Sequence, residues 1–374
     1  MKTPAPAPQI CLIALLAASC EPLADTMSFD RVEAPVFRAA EPRETVPGES
    51  LRVMTWNLKF GGGRVDFFFD FWGDRVHMTL EEVEENMEGI YRLIREYDPD
   101  LLLATEVDVC STRSAYVDML QGILDNTALD YGSYHQSWDV RFAPYGGIGS
   151  LDMGNAILSK HPITAAESIR QRDRSDLPAY ERYLYLHRVV GRAEIDFGEQ
   201  RIAALVLHAE AYDQDGTKTL HLEQMLELMR EEGGAFVAGG DFNELPPGSV
   251  RTSRFPDERA SSIGTDFEQP PYQPEDMRPF FDEYRAAITL AAYGDTEESQ
   301  SRYYTHMLGP HMESELTGEP GFWNRKLDYL FLGHEGIWEE GSTGVIQRPG
   351  DMGVGVDPML LSDHAPVVGT WELP

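Results

Sequence analysis

The chain has 374 residues, 42% of them apolar, and a formal charge of −32 from 63 acidic against 31 basic residues. That apolar content supports a sizeable core, in one large domain or two small ones. The charge argues against unassisted binding to nucleic acid or anionic membranes, which needs a local basic patch or bound cations. Only five of the basic residues are lysines, at 2, 59, 160, 218 and 326.

Residues 1–19 have the pattern of a signal peptide. Lys2 precedes an apolar run, Ile10–Ala18, that is too short to span a bilayer. The small residues Ala17, Ala18 and Ser19 lead into Cys20. This resembles a bacterial lipoprotein signal, which implies cleavage before Cys20 and lipidation there; an ordinary secretory signal cut nearby is the alternative. Cys11 would leave with the signal and Cys20 would carry lipid, so Cys110 remains as the one thiol and no internal disulfide forms. Residues 20–49, rich in Pro, Glu and Ala, are expected to be a flexible tether.

The remainder, 50–374, reads as one body with no internal repeat. Leu51–Trp56 alternates as a strand and ends at Asn57. Gly61–Gly63 and the aromatic run Asp66–Trp72 follow: a substrate platform, a membrane-touching loop or an inward-packed cover. Residues 80–97 carry apolar side chains at helical spacing with an acidic outer face, and Asp98–Pro99–Asp100 stops them. Leu101–Thr105 is a buried-strand run ending at Glu106, and Asp152–Lys160 is a further strand. Leu184–Ile195 and Arg201–Leu207 predict a hairpin whose second strand runs into His208. A helix over 217–231 precedes the strand Ala235–Val237 and the stretch Gly239–Gly240–Asp241–Phe242–Asn243. Strand alternation would aim Asp241 and Asn243 the same way and Phe242 into the core. Residues 245–277 are expected to form a long insertion, a substrate-facing segment or a lid, residues 279–293 a helix, and Lys326–Leu332 a strand bearing Asp328. Gly341–Pro358 is a Gly-rich loop, and Ser362–Val368 opens the last strand with Asp363 and His364.

Each of these polar residues alone is ordinary at a strand end or turn. An Asp can take and aim a water proton, and an Asn two residues on can donate to a phosphoryl oxygen; a site that also gathers carboxylates calls for a divalent cation. In this order the set resembles the endonuclease/exonuclease/phosphatase superfamily. The matching pieces are Thr55–Trp56–Asn57, Asp98–Pro99–Asp100 through Glu106, Gly154–Ser159, the strand ending at His208, Gly240–Asn243, Leu327–Asp328–Tyr329 and Ser362–Asp363–His364.

The resemblance implies an α/β fold: a four-layer sandwich of two packed mixed β-sheets flanked by helices. It also implies a metal-dependent phosphoric ester hydrolase, a phosphodiesterase before a monoesterase. By position, Glu106 would be the principal Mg²⁺ ligand with Asn57 and Asp363 nearby; Mn²⁺ or Ca²⁺ are alternatives. Asp241 would orient or deprotonate water and Asn243 would hold the phosphate. His364 would contact a phosphoryl oxygen, kept cationic by Asp328, and His208 would protonate the leaving group. Thr105, where many members have Gln, and Lys59, where abasic-site endonucleases have Asp, depart from the pattern. The expected partners are a phosphoester, either phospholipid head group or nucleic acid, and a membrane reached through the lipid anchor of an exported monomer. A non-catalytic binding lipoprotein of the same fold is the competing class.

Overall fold

The computed structural model describes residues 23–43, 45–68, 73–143, 146–198, 200–250, 274–307, 323–333 and 335–373. The signal peptide, Phe69–Trp72 and most of the 245–277 insertion lie outside the described residues.

In chain order the strands are β1 (Ala24–Asp25), β2 (Arg31–Glu33), β3 (Val36–Arg38), β4 (Ser50–Asn57), β5 (Leu101–Asp108), β6 (Tyr131–Ala143), β7 (Gly149–Ser159), β8 (Ile163–Arg170), β9 (Val189–Phe197), β10 (Gln200–His208), β11 (Phe236–Asp241), β12 (Arg285–Ala286), β13 (Asp328–Leu332), β14 (Ile337–Trp338), β15 (Gly344–Val345) and β16 (Val367–Glu372). The longest helices are α1 (Leu80–Tyr97), α2 (Met119–Asn126) and α3 (Thr217–Glu231).

These strands form two sheets. One runs β1-β6-β7-β5-β4-β16-β14, with β15 also on β16 and β3 also on β6; the other runs β12-β13-β11-β10-β9-β8-β2. Both mix parallel pairs, β4 with β5 and β10 with β11, into otherwise antiparallel ladders. Between the sheets lie Val53, Leu101, Leu103 and Ile157 from one side and Ile195, Val206, Val237 and Leu330 from the other. Truncating one of these, such as Leu103, to Ala would cost about 2–5 kcal/mol.

Helices cover the outer faces. Val83, Met87, Ile90 and Ile94 of α1 and Leu120, Ile123 and Leu124 of α2 pack on the first sheet, and Leu222, Met225 and Met229 of α3 pack on the second. The α1 periodicity is that of a helix with one buried stripe, and Thr79 and Glu82 close its first turn as a reciprocal capping box. This is the four-layer sandwich the sequence led us to expect.

Three local expectations need correction. Residues 24–38 are not a tether: β1 and β3 pair with β6, and β2 pairs with β8, so the segment supplies edge partners to both sheets. Unpaired edge N–H and C=O groups account for this capture, although Pro and Glu lower the segment's strand propensity. The 279–293 region is broken into a turn of helix at Arg278–Glu283, strand β12 and a second turn at Leu290–Tyr293, because β12 is drawn onto β13. Leu184 ends a short helix, Ala179–Leu184, and the hairpin begins only at Val189. The aromatic run turns inward where it is described: Phe67 is fully buried, its ring centroid 5.0 Å from that of Phe60.

Candidate active site

The parallel pairs bring strand ends together at one end of the sandwich. Asn57, at the end of β4, stands opposite Thr105 of β5, and His208 stands opposite Asp241 at the end of β10 and β11. Asp328 begins antiparallel β13 opposite Asp241, so its side chain enters the same region. The loop before β16 brings Ser362, Asp363 and His364. Ser362 Oγ fixes that loop, donating to the Asn57 carbonyl at 2.7 Å and accepting from the His364 N–H at 3.0 Å.

Glu106 reaches the site through a defect. The β5–β7 register shifts between Ala104 and Val107, and Glu106 sits at φ +54° inside the bulge. A non-glycine residue there costs about 1–3 kcal/mol, and bulges of this kind re-aim a side chain that regular alternation would bury or expose. The expected strand end at Glu106 is thus a kink within a strand that continues to Asp108.

The carboxylates are stitched together by Asn57. Its Nδ2 donates to Glu106 Oε1 at 3.0 Å and to Asp241 Oδ2 at 3.1 Å, while its Oδ1 accepts the Lys59 backbone N–H at 3.0 Å. So oriented, the Asn57 amide bridges the Glu106 and Asp241 carboxylates. Lys59 Nζ lies 3.9 Å from Asp363 Oδ2. The strand alternation expected of Asp241 and Asn243 is not kept. The chain leaves the strand at Asp241, and Asn243, at φ +50°, turns its N–H back to Asp241 Oδ1 at 3.0 Å. Its side-chain amide donates to the Ala209 carbonyl at 3.0 Å, so one of its two N–H bonds is spent on backbone. Phe242 does point into the core, against Phe280, Tyr329 and Phe331.

Two histidines face the same Asp241 oxygen, Oδ2. His364 Nδ1 is 2.8 Å from Asp328 Oδ2, and its Nε2 is 3.7 Å from Asp241 Oδ2. Burial alone would depress the His364 pKa, but the carboxylates of Asp328, Asp241 and Asp363 raise it to about 10. His208 Nε2 lies 3.5 Å from Asp241 Oδ2 and 3.8 Å from Glu106 Oε1. Burial holds His208 well below the ordinary histidine range, helped by the charges of Arg188, His364 and His221, so it rests neutral. Burial also raises the Asp241 carboxyl to about 7, against the pull of His364. Glu106 is raised too, first by burial and then by Asp363.

Among the described residues one donor set lies close enough to hold a divalent cation. Asp241, Asp328 and His364 bring one ligand atom each within 4.8 Å of one another, and Asp328 Oδ1 is buried without a hydrogen-bond partner. In that set the imidazole already binds Asp328 and holds a proton, which a metal would have to displace. Glu106 and Asp363 offer hard oxygens instead, and their mutual repulsion is the strain a cation relieves.

The structure therefore brings together all eight residues selected from sequence. It adds three that sequence reasoning missed. Arg188 is buried beside Glu210, 3.7 Å from Oε2, with Nε and Nη1 lacking hydrogen bonds. His306 stacks edge-on to His364 with ring centroids 4.7 Å apart, and Arg325 is its cross-strand partner. The only sequence signals were a charged residue opening the run Val189–Val190 and the polar steps Tyr304–Thr305–His306 and Asn324–Arg325.

The comparisons agree with this geometry. An endonuclease/exonuclease/phosphatase from Beutenbergia cavernae superposes with a TM-score of 0.51 at 16% identity, over 87% of this chain and 72% of that one. One from Bacteroides vulgatus gives 0.51 at 14%, over 87% and 99%. A protein of the same family from Leptotrichia buccalis gives 0.51 at 15%, over 86% and 100%. These likenesses concern the fold. No curated protein matches the chain. The profile of the Endonuclease/Exonuclease/phosphatase family matches residues 54–364, which encloses every site residue above; the chain belongs to that family, whose members are generally metal-dependent phosphoesterases or nucleases.

Proposed function

We propose that the chain is an exported, Mg²⁺-dependent phosphoester hydrolase that prefers diesters. The observation that carries this reading is the line Asp328–His364–Asp241: a cationic imidazole, fixed on one side by a buried carboxylate, faces a second carboxylate poised near neutrality.

A divalent cation held by Glu106 and Asp363 would neutralise phosphoryl charge and position the ester. Asp241, its Oδ1 tied down by the Asn243 N–H, would take the proton from the attacking water through Oδ2. A pKa of about 7 suits a base working near neutral pH. His364 would direct its Nε2–H at a phosphoryl oxygen as negative charge builds there. Asn57 would keep the Glu106 and Asp241 carboxylates in register. His208, neutral at rest, would offer a ring N–H to the leaving oxygen, which motivates the diester preference. Asn243 would meet the phosphate with its remaining amide hydrogen.

The chain's charge of −32 weighs against a tight nuclease, which needs many matched phosphate contacts. A lipid anchor at Cys20 favours a phospholipid head group. Palmitate labelling that survives in the wild type and disappears in Cys20→Ala tests the anchor and, with it, placement in the cell envelope. No helix among the described residues is long and apolar enough to cross a membrane.

The decisive test follows hydrolysis of bis(p-nitrophenyl) phosphate by metal-stripped protein with and without Mg²⁺, using Asp241→Asn as control. Turnover that needs Mg²⁺ and is lost in the variant supports the reading. A folded wild type that leaves the diester intact points instead to a monoesterase or a binding protein.

A further inference from the structure

Helices cover the outer faces of the sandwich and the sheets cover each other, but one corner carries an apolar surface of its own. Ala24 of β1, Val140 of β6 and Leu151 of β7 form a small core apart from the main ones, with Trp138, Tyr183 and Leu184 half-buried around it. The short helix Ala179–Leu184 rests there with none of its residues fully buried. Its side chains Tyr180, Tyr183 and Leu184 fall at i, i+3 and i+4, so they share one stripe. Trp138 Nε1 ties the helix down by donating to the Leu184 carbonyl at 2.8 Å. Outside this small core, Phe142 is 56% exposed and Tyr180 69%.

Register places this corner at the catalytic end. Gly154 of β7 stands opposite Val107, just past Glu106, and the strand extends from there beyond β5 to Leu151 and Gly149, opposite Val140 and Ala143 of β6. The short helix belongs to the connection that leaves β8 at Arg170 and enters β9 at Val189, at the end of the second sheet that carries His208. The chain also enters the fold here. The Leu23 carbonyl accepts from the Arg141 N–H at 2.7 Å and the Phe142 N–H at 3.4 Å. The Leu23 and Ala24 N–H groups both donate to the Tyr183 hydroxyl at 3.1 Å. Glu21 and Pro22 alone separate Leu23 from Cys20.

Resting on the lipid anchor proposed for Cys20, we infer that Phe142, Tyr180 and the half-buried Trp138 and Tyr183 beside them form a docking face for a zwitterionic lipid bilayer. The partner follows from where the chain emerges. An acyl chain on Cys20 enters the bilayer within a few residues of these rings, so this face meets the lipid first. Aromatic rings with polar tips suit the head-group boundary, where one end is apolar and the other wet. The charges agree. Across 138–143 and 179–184, Asp139 and Glu181 stand against Arg141 and Arg182, a balance within a chain of −32. A neutral face approaches a zwitterionic surface without Coulomb penalty, while the acidic remainder is repelled by anionic lipid. Because the face lies at the catalytic end, docking presents the site to phosphoesters in the bilayer itself.

The test is flotation of the mature chain, residues 20–374, with phosphatidylcholine vesicles. Cys20→Ala removes the acyl chain, so binding reports the protein surface, and every element described above is kept. The inference expects this parent to partition onto the vesicles and the double variant Phe142→Ser, Tyr180→Ser to partition at least ~10-fold less. Ile337→Ser is the control. Ile337 is 60% exposed but pairs with Glu372 at the opposite end of the sandwich, so its loss should leave binding unchanged. Both variants should melt as the parent does and turn over bis(p-nitrophenyl) phosphate within ~2-fold of it. If the double variant fails to fold, Phe142→Trp gives a second readout: its added fluorescence should be quenched by brominated phosphatidylcholine, and that of Ile337→Trp should not. Absence of vesicle binding by the parent, or equal loss in the docking variant and the control, overturns the inference. So does tighter binding when about 30% phosphatidylglycerol is added. A wild type that takes no palmitate, with selective vesicle binding of the parent intact, would remove the anchor and leave the docking face standing.

Discussion

The two walls of the site hold histidines with opposite protonation. Both imidazoles are buried and both place Nε2 within 3.7 Å of the same Asp241 oxygen. His364 is driven to about 10 and His208 well below its ordinary range. The difference comes from what stands behind each ring. Behind His364 is Asp328, at 2.8 Å; the charge nearest in effect on His208 is Arg188. A carboxylate in the catalytic centre does not by itself fix a neighbour's charge, and the partner one layer out decides it. One fold thus supplies a fixed cation and a neutral donor to the same small volume.

The comparison can be broken at its centre. Asp241 is the group both rings address, so Asp241→Asn should lower kcat by about 10²–10⁴-fold while far-UV circular dichroism stays unchanged; near wild-type turnover would mean that neither wall serves the reaction proposed. Next in size, Glu106→Gln should raise the Mg²⁺ needed for half activity by about 10–100-fold, read from a metal titration of initial rates. An unchanged midpoint would shift the cation to the Asp241, Asp328 and His364 set.

Two predictions sharpen the contrast between the walls. In metal-free protein, Asp328→Asn should bring the His364 titration down from about 10 toward its ordinary 6.5, observed as an NMR pH titration of the ring. Because the folded pKa is raised, the His364 charge stabilises the fold fully below pH 6.5, and that contribution is lost as pH rises to about 10. Urea midpoints of the wild type should therefore fall between pH 6.5 and 10, and those of the variant should fall less. The smallest effect is at the other wall. Arg188→Gln should raise the His208 pKa only part of the way, because burial, not Arg188, is its first cause. A full return to 6.5 in the same titration would contradict that ranking.

Much of this was legible from the chain. Strand ends bearing Asn57, His208, Asp241 and Asp328 follow from apolar runs stopped by polar residues, and the helix over 80–97 follows from its period and its Asp98–Pro99 stop. What stayed hidden has common physical origins. The bulge that presents Glu106 depends on a positive φ that no propensity of Thr105–Glu106 announces. Asn57's amide is oriented by partners far away in sequence, Glu106 and Asp241. Residues 24–38 look unstructured because their order is borrowed from the open edges of β6 and β8. Arg188, His306 and Arg325 are single charges in unremarkable contexts, and only topology makes neighbours of them.

The stitching of the first residues into both sheets changes what an anchor would mean. With 24–38 paired, a lipid on Cys20 would be joined to β1 through three residues, a reach of at most about 14 Å. The domain would ride against the bilayer surface with few orientations open to it, instead of sweeping a wide hemisphere on a long leash. Only esters arriving within a thin zone near the membrane would then encounter the catalytic end at its full frequency.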